Sequence, residues 1–432
     1  MLPIIPDPFK LVVRQIKTED GYKADPTALK QLEVIRKLLG QADQVISCTD
    51  AGREGELIMR YVLEYLGYHK ETKRLWISSM TEKSIREGFD SLKSSKEFDN
   101  LYRAAKARRE SDWVVGMNAS LSLSMAAGKS NYSLGRVQTP ALGMICRRYL
   151  DNRDFIAKPY YLLQLRTTKA GKELVLTCTG KYDTPEKLDV DRKKVYEETT
   201  AKVVQVEKKE VPEEAPLLYD LTALQRSANT KLGLTAEQTL NIAQKLYEGK
   251  FITYPRTDSK YLNESMKTDF LNLLELLKQK KQYDVSFEVD KVLDDSKVTD
   301  HHAIIPTKNI SDVSNLNDKE CSVLNIIIER TLKAVMKDMT YEHLTCTINA
   351  KDYDFIGTAN KTVEKGWTEF EKEDGTSSME EVKNISLFNC QKGDVFDPVT
   401  CEVLKKETKP KTRFNDKTII SAMENAGSKD FK

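Results

Sequence analysis

A tyrosine closes an apolar run in the stretch FITYPRTDS, residues 251–259. Phe251, Ile252 and Thr253 favour extended structure, and Pro255 keeps Tyr254 out of a helix. The run reads as a strand that stops at once, with Tyr254 on a rigid element. A phenol titrates at about 10 and is a weak nucleophile at neutral pH. A fixed guanidinium favours the phenolate and also the charge on a phosphate under attack. Arg256 lies two positions on, where a strand would put it on the face of Tyr254. Thr257 and Ser259 add hydroxyls. The same residues also fit an ordinary buried tyrosine beside a surface arginine.

Three further clusters carry chemistry. In TDAGREGE, Asp50, Glu54 and Glu56 surround a Gly-rich turn between an apolar run and a helix. Carboxylates at the carboxyl end of a parallel strand suit Mg²⁺, although glutamates there also complement a helix dipole. In SLGRVQTP, Ser133, Leu134, Gly135, Arg136, Val137 and Gln138 precede a helix. Its N-terminus would attract an anion. Arg108, Arg109 and Asp112 lie in the preceding basic stretch, and a solvated charged face explains such arginines equally well. In TDHHAIIPT, His301 and His302 are adjacent. Neighbours on an extended segment point opposite ways, so they do not share a metal. One is free for proton transfer or for donation to a phosphate, and a histidine without a role fits too.

The elements that position these clusters follow from pattern. Val45, Ile46 and Cys48 form a short buried strand. The helix after it carries Leu57, Ile58, Tyr61, Val62 and Leu66 and stops at Gly67. A second strand around Leu75–Ile77 and a helix capped by Thr81 repeat the scheme, which signals a parallel sheet. Residues 98–152 read as helical, with Thr139 as N-cap and Pro140 in the first turn. Residues 160–210 alternate as antiparallel strands. Helices return at 222–248, with Gly233 ending one and Thr235–Gln238 boxing the next. Segments 343–358 and 383–404 read as β, and a helix starts within RFNDKTIISAMENAG.

The chain of 432 residues is long enough for several cored domains. Its charged fraction of 31% carries a net charge of only +2, so nucleic-acid binding has to come from local basic clusters. No apolar run approaches a membrane span. The seven cysteines are scattered and never form a CxxC pair, which argues for reduced thiols rather than a disulfide framework or zinc ribbon.

Taken together and in this order, the motifs resemble those of the type IA DNA topoisomerases, nearest the bacterial topoisomerase III branch. DAGREGELI is similar to the family's acidic TOPRIM motif and LGRVQTP to its strand-binding motif. AQKLYEGKFITYPRTDS is similar to its active-site segment and HHAIIPT to its histidine motif. The resemblance covers nearly the whole chain. It implies a mixed α/β multidomain toroid. Residues 1–95 would be a partial TOPRIM domain, 96–155 a helical DNA-binding domain and 156–213 the first part of a β-rich hinge. Residues 214–342 would carry the tyrosine, 343–412 would return to the hinge, and 413–432 would start the returning helical domain.

By resemblance, Tyr254 attacks a phosphodiester, Arg256 holds the scissile phosphate, and His301 lies near it. Glu54 transfers a proton to the 3′-hydroxyl, and Asp50 and Glu54 bind Mg²⁺. Arg108, Arg109, Asp112, residues 133–138, Arg256, Thr257 and Ser259 contact DNA. The implied partners are single-stranded DNA and supercoiled or catenated duplex, bound by a monomer in the cytoplasm. Two departures stand out. The acidic motif is commonly D-x-D-x-E, but Gly52 occupies its middle position. The first-strand glutamate and lysine of the TOPRIM domain have no match, and the sequence ends shortly after SAMENAG, where the family's helical domain would continue, which together imply a fragment lacking both ends of the family's chain. The competing readings are a TOPRIM nuclease or primase, which needs no tyrosine, and a fragment that only binds single strands.

Overall fold

The computed structural model describes residues 3–78, 82–129, 132–169, 171–178, 200–281, 287–311, 313–351, 353–370, 385–397 and 399–426, with isolated positions between 180 and 193. Strands β1 (Gln15–Thr18) and β2 (Gly21–Ala24) form an antiparallel hairpin. Helix α1 (Pro26–Gln41) follows, capped by Asp25, whose carboxylate accepts from the Thr27 N–H. Strand β3 (Val45–Ser47), helix α2 (Arg53–Leu66) and strand β4 (Thr72–Arg74) form a strand–helix–strand unit with β3 and β4 parallel. Helix α3 (Glu82–Asp90) leads to β5 (Lys93–Ser94), antiparallel to β4, and the sheet order is β3-β4-β5.

Two sequence expectations shift here. Cys48 lies beyond β3 and is exposed, because the chain turns into the acidic loop at that point. The ladder of β4 ends at Arg74, before the expected Leu75–Ile77. Those apolar side chains pack on α3, where a Cβ at Gly88 would collide with Leu75 and Ile77. The proposed cap Thr81 lies outside the described residues.

Helices α4 (Asp99–Ala126) and α5 (Gln138–Arg153) come next. A seven-stranded antiparallel sheet is then built in two visits. Strands β6 (Pro159–Lys169), β7 (Lys172–Cys178) and β8 (Ala201–Glu213) come first. Strands β9 (Met339–Ala350), β10 (Tyr353–Glu364), β11 (Val395–Phe396) and β12 (Thr400–Glu407) come later. The order is β11-β8-β9-β10-β7-β6-β12. Alternate residues such as Leu163, Leu165, Leu174, Leu176, Leu344, Cys346 and Ile348 form its core, as period-two burial requires.

Between the two visits lies a helical unit: α6 (Leu221–Leu232), α7 (Ala236–Glu248), α8 (Lys267–Lys281) and α9 (Asp318–Lys333). Strand β8 leaves the sheet at Glu213 and β9 re-enters it opposite, at Met339. The unit is therefore attached through two adjacent strands. Gly233 ends α6 in the left-handed conformation, and Thr235 and Gln238 form the capping box of α7, as the sequence indicates. Its core includes Leu224, Leu246, Phe270, Leu274 and Ile327, together with Ile252, Ile304 and Ile305 from the two candidate motifs. The last helix, α10 (Asp416–Glu424), packs on α6, where Glu424 pairs with Arg226 at 3.0 Å. No helix among the described residues is long and apolar enough to cross a membrane.

Candidate active site

The segment holding Tyr254 is not a strand. Its only ladder-like pairing among the described residues is a single antiparallel bridge between Ile252 and Pro306. Hydroxyls replace the missing ladder. The Thr253 N–H donates to the Ile305 carbonyl at 3.0 Å, and the Thr253 hydroxyl donates to the Ala303 carbonyl and accepts from the Ile305 N–H. The Thr257 hydroxyl donates to the His301 carbonyl at 2.9 Å, and the Ser259 hydroxyl to the Lys297 carbonyl at 2.9 Å. Thr257 and Ser259 are buried. The hydroxyl cluster of FITYPRTDS thus fastens the tyrosine segment to the histidine segment. The resemblance sets these two hydroxyls against DNA; the structure turns them inward.

Tyr254 sits in an aromatic setting. Its ring lies 4.4 Å from the ring of His301 and 5.2 Å, edge-on, from that of Tyr247. Among the described residues its hydroxyl makes no hydrogen bond. Burial raises its pKa, Asp50 adds to the rise, and Arg256 opposes it. The phenolate that Arg256 alone would favour is outweighed, so the raised pKa keeps Tyr254 as a phenol. Arg256 is exposed and makes no hydrogen bond or ion pair among the described residues. His302 points away from the ring stack, and its Nδ1–H donates to the Ala303 carbonyl at 2.9 Å.

Burial depresses the pKa of His302, with His301 adding to the effect. The unfolded chain then binds the proton more readily once pH falls below about 6.5. Stability should be full above that value and fall as pH drops through it toward the lowered folded value. Unfolding midpoints measured across that range should show the loss, and His302→Gln should lessen it. A midpoint with the same pH dependence in both proteins would remove His302 as its source.

The acidic loop is organised from beneath by a residue that no motif marks. Arg74 is fully buried at the end of β4. Its Nη1 donates to the carbonyls of Ser47, Thr49 and Leu75, and its Nη2 to that of Asp50. Its Nε lies 3.1 Å from the Glu56 Oε2, an ionic contact without hydrogen-bond alignment. Arg60 holds the other Glu56 oxygen at 2.8 Å. Glu56 is therefore a buried structural carboxylate and not a free ligand. The sequence signal for Arg74 is an arginine on the inward phase of a strand. Gly55 is required for space, since a Cβ there would lie 2.1 Å from the Asp50 carbonyl oxygen.

The loop and the tyrosine segment meet. Asp50 Oδ2 lies 3.5 Å from His301 Nε2. Asp50, Tyr254, His301 and Arg256 thus form one neighbourhood drawn from two parts of the chain. Glu54 is exposed in the first turn of α2, and its charge bears on Tyr61.

Comparisons with known proteins show the family. Residues 96–427 match the family model for DNA topoisomerase, and residues 16–80 match that for the Toprim domain. The chain belongs to the type IA DNA topoisomerases. DNA topoisomerase 3 of Bacillus subtilis strain 168 is 37% identical over 439 aligned residues, which cover 98% of this chain and 58% of that protein. DNA topoisomerase 3 of Bacillus cereus strain ZK / E33L is 36% identical with the same coverage. Full-length topoisomerase I from Thermotoga maritima superposes with a TM-score of 0.69 at 26% identity, over 94% of this chain and 67% of that one. The chain therefore spans 58% of the length of these curated topoisomerase relatives.

In this chain the SLGRVQTP motif opens α5 differently from the sequence expectation. Val137 is the cap residue, with no side-chain cap bond, and Thr139 lies inside the helix. The Thr139 hydroxyl instead accepts from the Gly135 N–H at 3.0 Å, so it folds the loop back on the helix. Leu134 N–H donates to Ser120 Oγ on α4, and Gln138 Nε2 donates to Ser133 Oγ at 2.6 Å. Arg136 and Asp112 form a bidentate pair at 2.9 and 3.1 Å, with both side chains exposed. Arg108 and Arg109 are exposed on α4. The motif is presented on the surface by α4, and Tyr254 packs instead on Tyr247 and His301.

Among the described residues, no three His, Cys, Asp or Glu side chains converge to hold a metal. Asp50 and Glu54 are exposed at the carboxyl end of β3, and both offer only oxygen. Mg²⁺ is commonly held by one or two carboxylates with the rest of its shell water. This donor set fits such an ion, bound weakly.

Proposed function

We propose that this chain carries the ATP-independent cleavage and religation chemistry of a type IA topoisomerase. The observation that carries the reading is Tyr254 packed on His301 while His301 pairs with Asp50 of the acidic loop. The Tyr254 phenol gives up its proton as its oxygen attacks a phosphodiester of single-stranded DNA, the bond from phosphorus to the 3′-oxygen breaks, and the departing 3′-oxygen takes up one proton in exchange. The products are a 5′-phosphotyrosine and a 3′-hydroxyl. Glu54 is assigned to the proton transfer to the 3′-oxygen. Religation is the reverse, and one phosphodiester-type bond is present throughout, so no external energy source is consumed.

The residues divide the work by position. Arg256, exposed and unpaired among the described residues, holds the scissile phosphate. A phosphate there leaves Arg256 to stabilise the charge that develops on it. His301 faces that phosphate, and Asp50 orients its ring. Asp50 and Glu54 would hold Mg²⁺, which would supply positive charge beside the phosphate. Thr257 and Ser259 position Tyr254 through the backbone.

The strand away from the tyrosine is held without a covalent bond by Arg108, Arg109, Arg136 and the 133–138 loop. The substrates are single strands and supercoiled or catenated duplex, taken by a monomeric cytoplasmic enzyme. The division at residues 95, 155, 213, 342 and 412 separates the TOPRIM, helical, hinge and tyrosine parts of the ring.

Incubation with an end-labelled single-stranded oligonucleotide, followed by denaturation, tests the reading. A labelled band at the mass of protein plus DNA is expected. Binding with no such band would make the chain a single-strand binder.

Arg136 also gives a thermodynamic test. On a single strand, each phosphate neutralised by a cationic side chain steepens the log–log salt slope by about 0.7. Arg136→Ala is expected to flatten the slope by roughly that amount. An unchanged slope would leave Arg136 as the structural partner of Asp112.

A further inference from the structure

Gly357 on β10 has no side chain to point into the core of the large sheet, and the room is used. A Cβ built there would lie 3.0 Å from Leu387 Cδ1 and 3.0 Å from Leu176 Cδ2. The register partner of Gly357 on β9 is Cys346, fully buried in the same core. Leu387 belongs to a short 3-10 helix, Ile385–Asn389, which packs on this face of the sheet. Cys390 follows that helix directly and is only 4% exposed. The helix thus brings a second thiol down beside the first, and the two are hydrogen-bonded to one another.

The pair is not symmetric. Cys346 donates to Cys390, whose own S–H points to the Ser386 carbonyl at 3.9 Å. Lys169 lies near Cys390, with its ammonium 2.7 Å from Asp394 Oδ2. The bond from Cys346 holds the Cys390 thiol below its usual range against the effect of burial, and Lys169 adds to the fall while Asp394 opposes it. The same bond, together with burial, pushes the Cys346 thiol up. A thiol beside a cation and a hydrogen-bond donor is the one that ionises and attacks. Its protonated neighbour is placed to resolve the product.

We propose that Cys390 and Cys346 are a modification site for peroxide, a thiol pair in which Cys390 is the attacking sulfur and Cys346 the resolving one. The Cys390 thiolate attacks one oxygen of hydrogen peroxide, the O–O bond breaks, and a sulfenic acid and hydroxide result. The proton that Cys390 gave up on ionising returns to the hydroxide. The Cys346 sulfur then attacks the Cys390 sulfur. The S–O bond breaks, an S–S bond forms, and the oxygen leaves as water with the Cys346 proton. Two thiols lose two electrons between them, and one peroxide becomes two waters. The sulfurs close to about 2.05 Å in the product. The bond fastens the 385–390 segment to β9, one of the two strands through which the tyrosine unit is attached. The oxidation site thus lies in the sheet that carries that unit, outside the Tyr254 neighbourhood.

The test is peptide mapping by mass after treatment of this chain with hydrogen peroxide, the remaining thiols being alkylated before digestion. A cross-link between the Cys346 and Cys390 peptides is expected, about 2 Da lighter than the two reduced peptides together and reversed by dithiothreitol. Cys346→Ser removes the resolving sulfur, so a sulfenic acid should accumulate on Cys390 and react with dimedone. Cys390→Ser should slow oxidation of Cys346 by at least about tenfold. Both thiols still reduced once the exposed Cys48 and Cys146 are fully oxidised would overturn the proposal. So would a link from either sulfur to Cys178 or Cys401, which line the same core, or an unchanged rate of Cys346 oxidation in Cys390→Ser. The mapping needs no substitution, so a variant that misfolds does not leave the pair undecided.

Discussion

Tyr254→Phe is expected to abolish the covalent adduct with single-stranded DNA while leaving binding within a few-fold. The substitution removes one oxygen. The ring contacts at 4.4 Å to His301 and 5.2 Å to Tyr247 belong to the aromatic faces and edges, which phenylalanine keeps. The hydroxyl makes no hydrogen bond among the described residues, so no buried partner is orphaned. Fold stability should hardly change. The chemistry has no substitute, because Tyr247 approaches edge-on and lies in α7, outside the seam. Denaturing gels with a labelled oligonucleotide measure the adduct, and a fluorescence titration measures affinity. Residual adduct in the phenylalanine variant would move the nucleophile elsewhere, and a large loss of affinity would make the hydroxyl a binding group.

Arg74→Met should have the largest effect on stability. The guanidinium is fully buried, contacts Glu56, and donates to the carbonyls of Ser47, Thr49, Asp50 and Leu75. Methionine fills part of the volume but donates nothing. Those carbonyls are left without the guanidinium, and Glu56 keeps only Arg60. Breaking one side of a buried pair costs about 3–5 kcal/mol. The β3–α2 unit should therefore unfold at a clearly lower urea concentration. Its loss should also free the Asp50 loop and weaken adduct formation. Replacing Glu56 by leucine in the same protein should recover part of the stability, since a buried pair and an apolar filling are often close in energy. A denaturation midpoint unmoved by Arg74→Met would show that the loop is held some other way.

The sequence by itself determined the order of the elements. Strand–helix alternation, Gly67, Gly233 and the Thr235–Gln238 box are local signals, and each acts through a backbone conformation or cap bond within a few residues. The alternating runs of the large sheet were equally legible, because period-two burial is written along each strand. The motif residues Tyr254, Arg256, His301, Asp50 and Glu54 were singled out by their motifs' resemblance to the family, since by type alone His302 and Glu56 were equal candidates.

Tertiary structure decided everything that depends on what lies opposite. The tyrosine segment is extended yet is no strand, because its partner at 301–307 binds it through the hydroxyls of Thr253 and Thr257 and not through a ladder. Its phenol is protonated because burial and Asp50, about two hundred positions earlier in sequence, outweigh the Arg256 beside it. Glu56 looked like the third acid of a motif but is locked by Arg74 and Arg60. Gly52 looked like a missing ligand, and only packing shows that the Asp300 carboxylate occupies the space a side chain there would need. Local sequence carries conformational preference, whereas burial and charge at a seam depend on two distant segments at once.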